Sequence, residues 1–343
     1  IPTWKIAPAL VAGNTVVFKP ASDTPILAAT LVQIFEEAGL PPGVLNLVIG
    51  NGDEVGEPLV THPQVGVVAF TGSTAVGREI ALKATQHLKR VSLEMGGKNA
   101  IIVMDDADLN LALDGIVWSA FGTSGQRCTA ASRIIVHRAV ARELTERLVE
   151  RAQRLRLGNG LDPTVDMGPV VNARQLQRIH QYVQIGVQEG AKLLCGGTIV
   201  REGDLARGFF YAPTVFGDVR PEMRIAQEEI FGPVTAIITV DSLEEAIAVN
   251  NGVQYGLVTS IYTRDINRAF RALREIDTGI VYVNAGTIGA EVHLPFGGTK
   301  NTGNGHREAG VQALDIFTEW KTVFIDYSGR LQRAMIDIAP LPS

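Results

Sequence analysis

Strand-like and helix-like runs alternate along nearly the whole chain, and this alternation narrows the choice of fold more than any other feature. Residues 14–19 form a short β-branched run. Asp23-Thr24-Pro25 then offers an N-cap followed by a proline, which suits the first turn of a helix. Leu27, Leu31, Ile34 and Phe35 supply its apolar face, and Gly39 with Pro41-Pro42 stops it. Further strands are predicted over 44–48, 65–70 and 90–93, with a helix from Thr74 to about His87. After Gly96-Gly97 the pattern restarts, with strands over 99–104 and 133–137 and helices over 109–121 and 140–156. This is the signature of an α/β fold built on parallel sheets. The break at the paired glycines divides the chain into 1–96, 97–297 and a C-terminal segment 298–343. That last segment contains an apolar, strand-like piece, Val323-Phe324-Ile325-Asp326-Tyr327.

Bulk properties exclude several classes. The chain has 343 residues, 46% hydrophobic and 20% charged, with a net charge of −5. Its basic residues are scattered, so neither nucleic acid nor an anionic membrane is an expected partner. No apolar run approaches the length of a membrane span. Two cysteines make no disulfide framework and favour a reducing compartment, with cytoplasm as the default. No metal-ligand spacing appears. Cys195 lies in an apolar run and reads as structural.

Cys128 stands apart. It sits in Gly125-Gln126-Arg127-Cys128-Thr129-Ala130, a short glycine-bearing loop where a thiol can meet a substrate. Glu94 ends an apolar strand in Leu93-Glu94-Met95-Gly96-Gly97-Lys98, beside two glycines that let the backbone turn sharply. A thiolate nucleophile with a carboxylate base can form and then hydrolyse a thioester. A lone cysteine is more often a small buried hydrophobe, and it is the pairing of the two motifs that favours chemistry. A free thiol titrates near 8.5, so Arg127, neighbouring amides or a bound cation must help to ionise it.

Together these motifs resemble the aldehyde dehydrogenase superfamily. Residues 16–22 (Val-Val-Phe-Lys-Pro-Ala-Ser), Phe70-Thr71-Gly72-Ser73, Glu228-Glu229-Ile230-Phe231-Gly232-Pro233 and Pro295-Phe296-Gly297-Gly298 follow in the family's order. The resemblance implies two doubly wound parallel-sheet domains plus an oligomerisation strand, and a homodimer or homotetramer. It implies NAD(P)-dependent oxidation of an aldehyde or semialdehyde, with Cys128 as nucleophile and Glu94 as the base for hydrolysis. It also implies an N-terminally truncated chain, because the family places an oxyanion asparagine just before the segment resembling Ile1-Pro2-Thr3-Trp4-Lys5. A catalytically silent fragment that keeps a binding or oligomerisation surface is the alternative.

By the same resemblance Lys19, Ser22, Gly72, Ser73, Gly96, Glu229 and Phe231 bind the cofactor, while Trp4, Arg127, Thr129 and Phe296 line the substrate pocket. Ser22 stands where strictly NAD-preferring relatives tend to carry glutamate, so NAD use with NADP possible is expected. Taken alone, Gly72-Ser73 is an ordinary helix cap. Gly122 falls where some relatives carry a bulky aromatic, which implies a roomier tunnel.

Overall fold

The computed structural model describes residues 1–329. The first portion runs through helix α1 (Pro2–Val11), strand β1 (Val16–Phe18), α2 (Pro25–Glu37), β2 (Leu45–Leu47), α3 (Glu57–Thr61), β3 (Val67–Thr71), α4 (Thr74–Thr85) and β4 (Arg90–Glu94). β1 pairs in parallel with β2, and β3 with β4, as two separate pairs among the described residues. α2 begins at Pro25, whose missing N–H costs nothing in a first turn. Its inward face is Ala28, Leu31, Val32 and Phe35, the i, i+3, i+4, i+7 stripe. Leu27 and Ile34, expected to pack, are exposed instead.

The second portion builds a larger sheet from β5 (Asn99–Val103), α5 (Leu109–Phe121), β6 (Ala131–His137), α6 (Arg138–Gln153), α7 (Ala173–Gln188) and β7 (Lys192–Cys195). A short pair, β8 (Ile199–Val200) and β9 (Phe210–Tyr211), precedes β10 (Thr214–Gly217), α8 (Arg224–Gln227), β11 (Val234–Val240) and α9 (Leu243–Asn251). Next come β12 (Tyr255–Gly256), β13 (Val258–Tyr262), α10 (Ile266–Glu275) and β14 (Ile280–Val283); β12 pairs with β15 (Thr299–Lys300). Seven strands lie in the order β14-β13-β5-β6-β11-β10-β7, all parallel except β7.

The apolar run of β5 is buried on both faces, as the centre of a helix-covered parallel sheet requires. Ile101 and Val103 pack towards α5 and α6, and Ala100 and Ile102 towards α9 and α10. Cys195 is buried at the end of β7, as its sequence context implied.

Residues after Gly298 fold back over β4. The Asn304 amide accepts from Leu93 N at 3.0 Å and donates to Val91 O at 2.6 Å, while Met95 N donates to Thr302 O at 2.7 Å. A sheet edge is thereby capped rather than left open. Val323–Tyr327 makes no strand within the chain. Trp320, Phe324 and Tyr327 stand almost fully exposed, so a place in the chain's own sheets is ruled out. The part of the C-terminal segment at 330–343 lies outside the described residues.

Candidate active site

The site forms where the carboxyl end of β4 meets the amino ends of β5 and β6. Glu94 is the last residue of β4, and the turn Met95-Gly96-Gly97-Lys98 leads straight into β5. Cys128 sits three residues before β6. Cys128 packs beside Leu257, Val258, Phe296 and Ala309, in a cluster joined by Trp4, Ile280 and Tyr282. The Trp4 and Phe296 rings meet edge to face, with centroids 5.2 Å apart. The nucleophile candidate and two expected pocket residues thus share one apolar wall. Thr129 is buried beside them and Arg127 is exposed. Gly122 does not open space, because a Cβ there would lie 2.7 Å from the Trp118 ring.

Two glycines allow the close approach. A Cβ on Gly97 would stand 2.7 Å from the Cys128 carbonyl, and one on Gly96 would stand 2.3 Å from a Glu229 oxygen. Glu229 accepts instead from Gly97 N at 2.9 Å. The Glu229–Phe231 turn is held from α7, where the Gln175 amide donates to Ile230 O and Phe231 O, both at 2.9 Å, and Arg178 donates to Glu229 O at 3.0 Å. This clamp supports Phe231 in a left-handed conformation, φ +60°, which is costly for an aromatic residue. A cleft lined by Gly97, Arg127, Glu229 and Phe231 opens beside the Cys128 loop.

Burial dominates the electrostatics. It pushes the Cys128 thiol up to about 11; the negative charges of Glu94 and Glu229 add to this, and the Cys128 and Thr129 amides pull the other way. The unliganded thiol is therefore neutral near pH 7, and Glu94 and Glu229 are the charges that bear on it. Burial likewise pushes Glu94 up to about 8, against the pull of Lys5 and Arg307. One Glu94 oxygen has no hydrogen-bond partner. Lys5 is drawn down to about 8 by burial, opposed by Glu94, and it forms an ion pair with buried Glu308.

Lys5 and Glu308 carry no local signal that marks them for a role. They lie 303 positions apart, and only the fold-back of the C-terminal segment joins them. Conversely, Lys19, Ser22, Gly72 and Ser73 stand at the carboxyl ends of β1 and β3, where parallel sheets bind ligands. Ser22, Gly72 and Ser73 are exposed. The Ser73 hydroxyl accepts from Val76 N at 3.4 Å as the cap of α4, and the Lys19 ammonium donates to Pro20 O at 3.0 Å.

A model of the aldehyde dehydrogenase family matches residues 1–323. The chain belongs to the aldehyde dehydrogenase family. It is 47% identical over 325 residues to the alpha-ketoglutaric semialdehyde dehydrogenase of Bacillus subtilis, covering 95% of this chain and 67% of that protein. It is 46% identical over 328 residues to the alpha-ketoglutarate semialdehyde dehydrogenase of Haloferax volcanii, covering 95% and 68%. Among solved structures, betaine aldehyde dehydrogenase of Staphylococcus aureus in complex with NAD+ superposes with a TM-score of 0.90 at 36% identity, over 92% of this chain and 62% of that one. HpcC of Thermus thermophilus superposes with a TM-score of 0.90 at 44% identity, over 96% and 65%. The chain thus spans about two thirds of the length of these relatives. The high overlap with these structures bears out the α/β aldehyde dehydrogenase-like fold.

Proposed function

We propose that the protein oxidises an aldehyde to the carboxylic acid with hydride transfer to NAD, Cys128 acting as nucleophile and Glu94 as base. The observation that carries this reading is the meeting of Cys128, Trp4 and Phe296 in one apolar wall, with Glu94 close enough for its charge to act on the thiol. The residues present fit a dinucleotide. Glu229 is fixed beside Gly96-Gly97 at the mouth of a cleft, and the carboxyl ends of β1 and β3 present Ser22, Gly72 and Ser73 to solvent, with Lys19 half-buried beside them. Bound there, NAD supplies the hydride acceptor and a positive charge beside the thiol.

The protein's own residues perform the rest. Cys128 gives up its proton to solvent and its sulfur bonds to the aldehyde carbon, giving a thiohemiacetal whose oxyanion faces the Cys128 amide. Loss of hydride from that carbon leaves a thioester on Cys128. Glu94, in its deprotonated form, takes a proton from water as the water oxygen bonds to the thioester carbonyl; the carbon–sulfur bond breaks, the acid leaves and the proton on Glu94 passes to the Cys128 sulfur.

We assign Ser22 to coenzyme choice, with NAD preferred and NADP accepted, since an exposed serine neither holds both ribose hydroxyls nor repels a 2′-phosphate. The named semialdehyde dehydrogenases at 46–47% identity favour a semialdehyde substrate. We place the boundary between cofactor and catalytic domains at Gly96-Gly97. Exposed Phe324 and Tyr327 suit strand addition to a second copy in a homodimer or homotetramer. The test of the activity is NADH production from short aliphatic aldehydes and semialdehydes by the full-length protein and by Cys128→Ser. Turnover surviving in the variant overturns the reading.

A further inference from the structure

We propose that Asn99 is a positioning residue that sets the peptide planes of the nucleophile loop, so that the amides of Cys128 and Thr129 face the thiol. The inference rests on the reading of Cys128 as nucleophile and extends it to a residue that touches neither substrate nor cofactor. Asn99 is the first residue of β5 and is 4% exposed. Its amide nitrogen donates to Cys128 O at 2.7 Å and to Ala130 O at 2.9 Å, and its amide oxygen accepts from Val258 N at 3.2 Å. Both of its N–H bonds are therefore spent on the loop, and its acceptor is tied to the neighbouring strand β13.

Peptide geometry makes this hold directional. No cis peptide occurs among the described residues, so the Cys128 carbonyl and the Thr129 N–H point in opposite directions across one planar unit. Pinning that carbonyl to Asn99 turns the Thr129 N–H towards the sulfur. The preceding plane is fixed in a similar way, because Ala130 N donates to Arg127 O at 3.0 Å and the Cys128 N–H points away from that bond. Both amides act on the thiol in the sense that favours its anion. Gly97 is the second half of the device. A Cβ there would stand 2.8 Å from the Asn99 amide oxygen as well as 2.7 Å from the Cys128 carbonyl.

Thr287 supplies an internal control. Its hydroxyl donates to Thr129 O at 2.7 Å, holding the loop equally well. The N–H of that peptide belongs to Ala130, which is already committed to Arg127 O. Losing Thr287 therefore loosens the loop without turning either amide that faces the sulfur.

The test is the rate of Cys128 alkylation by iodoacetamide between pH 7 and 9, without coenzyme, in a Cys195→Ser background of the full-length protein. Asn99→Ala is expected to react about tenfold more slowly at each pH, because the anion loses the help of an oriented charge-assisted hydrogen bond. Thr287→Val is expected to react at the parental rate or faster. A purely structural role for Asn99 has the opposite sign, since a loosened loop exposes the thiol and speeds alkylation. Asn99→Ser, which keeps one donor, is expected to fall between, and it serves if Asn99→Ala does not fold by circular dichroism. Parental or faster alkylation in either folded Asn99 variant, or equal slowing in Thr287→Val, overturns the proposal. Alkylation requires no turnover, so the result stands apart from the Cys128→Ser assay.

Discussion

The Cys128 loop, proposed to carry the nucleophile, and the strand ends assigned to the cofactor are built in opposite ways. Around Cys128 every nearby carbonyl is committed: Arg127 O to Ala130 N, Cys128 O and Ala130 O to Asn99, and Thr129 O to Thr287. At the ends of β1 and β3, Ser22, Gly72 and Ser73 face solvent, and the Ser73 hydroxyl makes a long 3.4 Å cap with Val76 N. The chemistry is preorganised in the chain, whereas the binding side is left for a ligand to complete. The buried carboxylates near the thiol oppose its ionisation, which the Cys128 and Thr129 amides favour.

The largest expected effect lies on the preorganised side. Cys128→Ser should reduce aldehyde oxidation to background while leaving NAD binding, measured by titration calorimetry, nearly unchanged. Weakened binding of similar severity would mean that the two sides are not separable.

Next in size, Glu94→Gln should lower steady turnover by roughly 10²–10⁴-fold while preserving a pre-steady-state burst of NADH. In the wild type the hydrolytic step should accelerate as pH rises through about 8, because burial keeps Glu94 protonated below that value and only its anion accepts a proton. The variant should lose this rise. The same shift affects stability. The folded chain holds a proton on Glu94 that the unfolded chain releases near the ordinary value of 4.5, so stability falls as pH rises from there to about 8. Glu94→Gln should therefore gain thermal stability relative to wild type at pH 8 but not at pH 4. Loss of the burst would place Glu94 in thiol activation instead.

Much of this arrangement was legible in the sequence, for physical reasons. The helix over Leu109–Phe121 and the strands over 99–104 and 133–137 follow from apolar periodicity; the structure adds a cap at Asp108, whose carboxylate accepts from Asn110 N at 3.0 Å. Cys128 and Glu94 stand out because their loop chemistry is local. Lys5, Glu308 and Asn99 do not, since their partners lie 303, 303 and 29 to 159 positions away. The orientation of α2 was misjudged because Leu27 and Ile34 satisfy an apolar pattern without being buried. The run Val323–Tyr327 has strand composition but pairs with no strand among the described residues.

Gly97→Ala sharpens the comparison at intermediate size. The added methyl meets the Cys128 carbonyl and the buried, fully bonded Asn99 amide, so a loss of about 1–3 kcal/mol in urea denaturation is expected, with slower acylation. A neutral result would show that the loop has slack. On the open side, Ser22→Glu should raise the Michaelis constant for NADP about tenfold or more and leave that for NAD unchanged or lower. A constant ratio would shift coenzyme choice to Asp23.

The most direct measurement traps the covalent intermediate. Full-length Glu94→Gln, mixed with one equivalent each of NAD and aldehyde, is quenched in acid and its intact mass and peptides are read. The account requires an added acyl mass on the peptide containing Cys128, formed in step with the NADH burst. A burst with no adduct, or an adduct on Cys195, would contradict it.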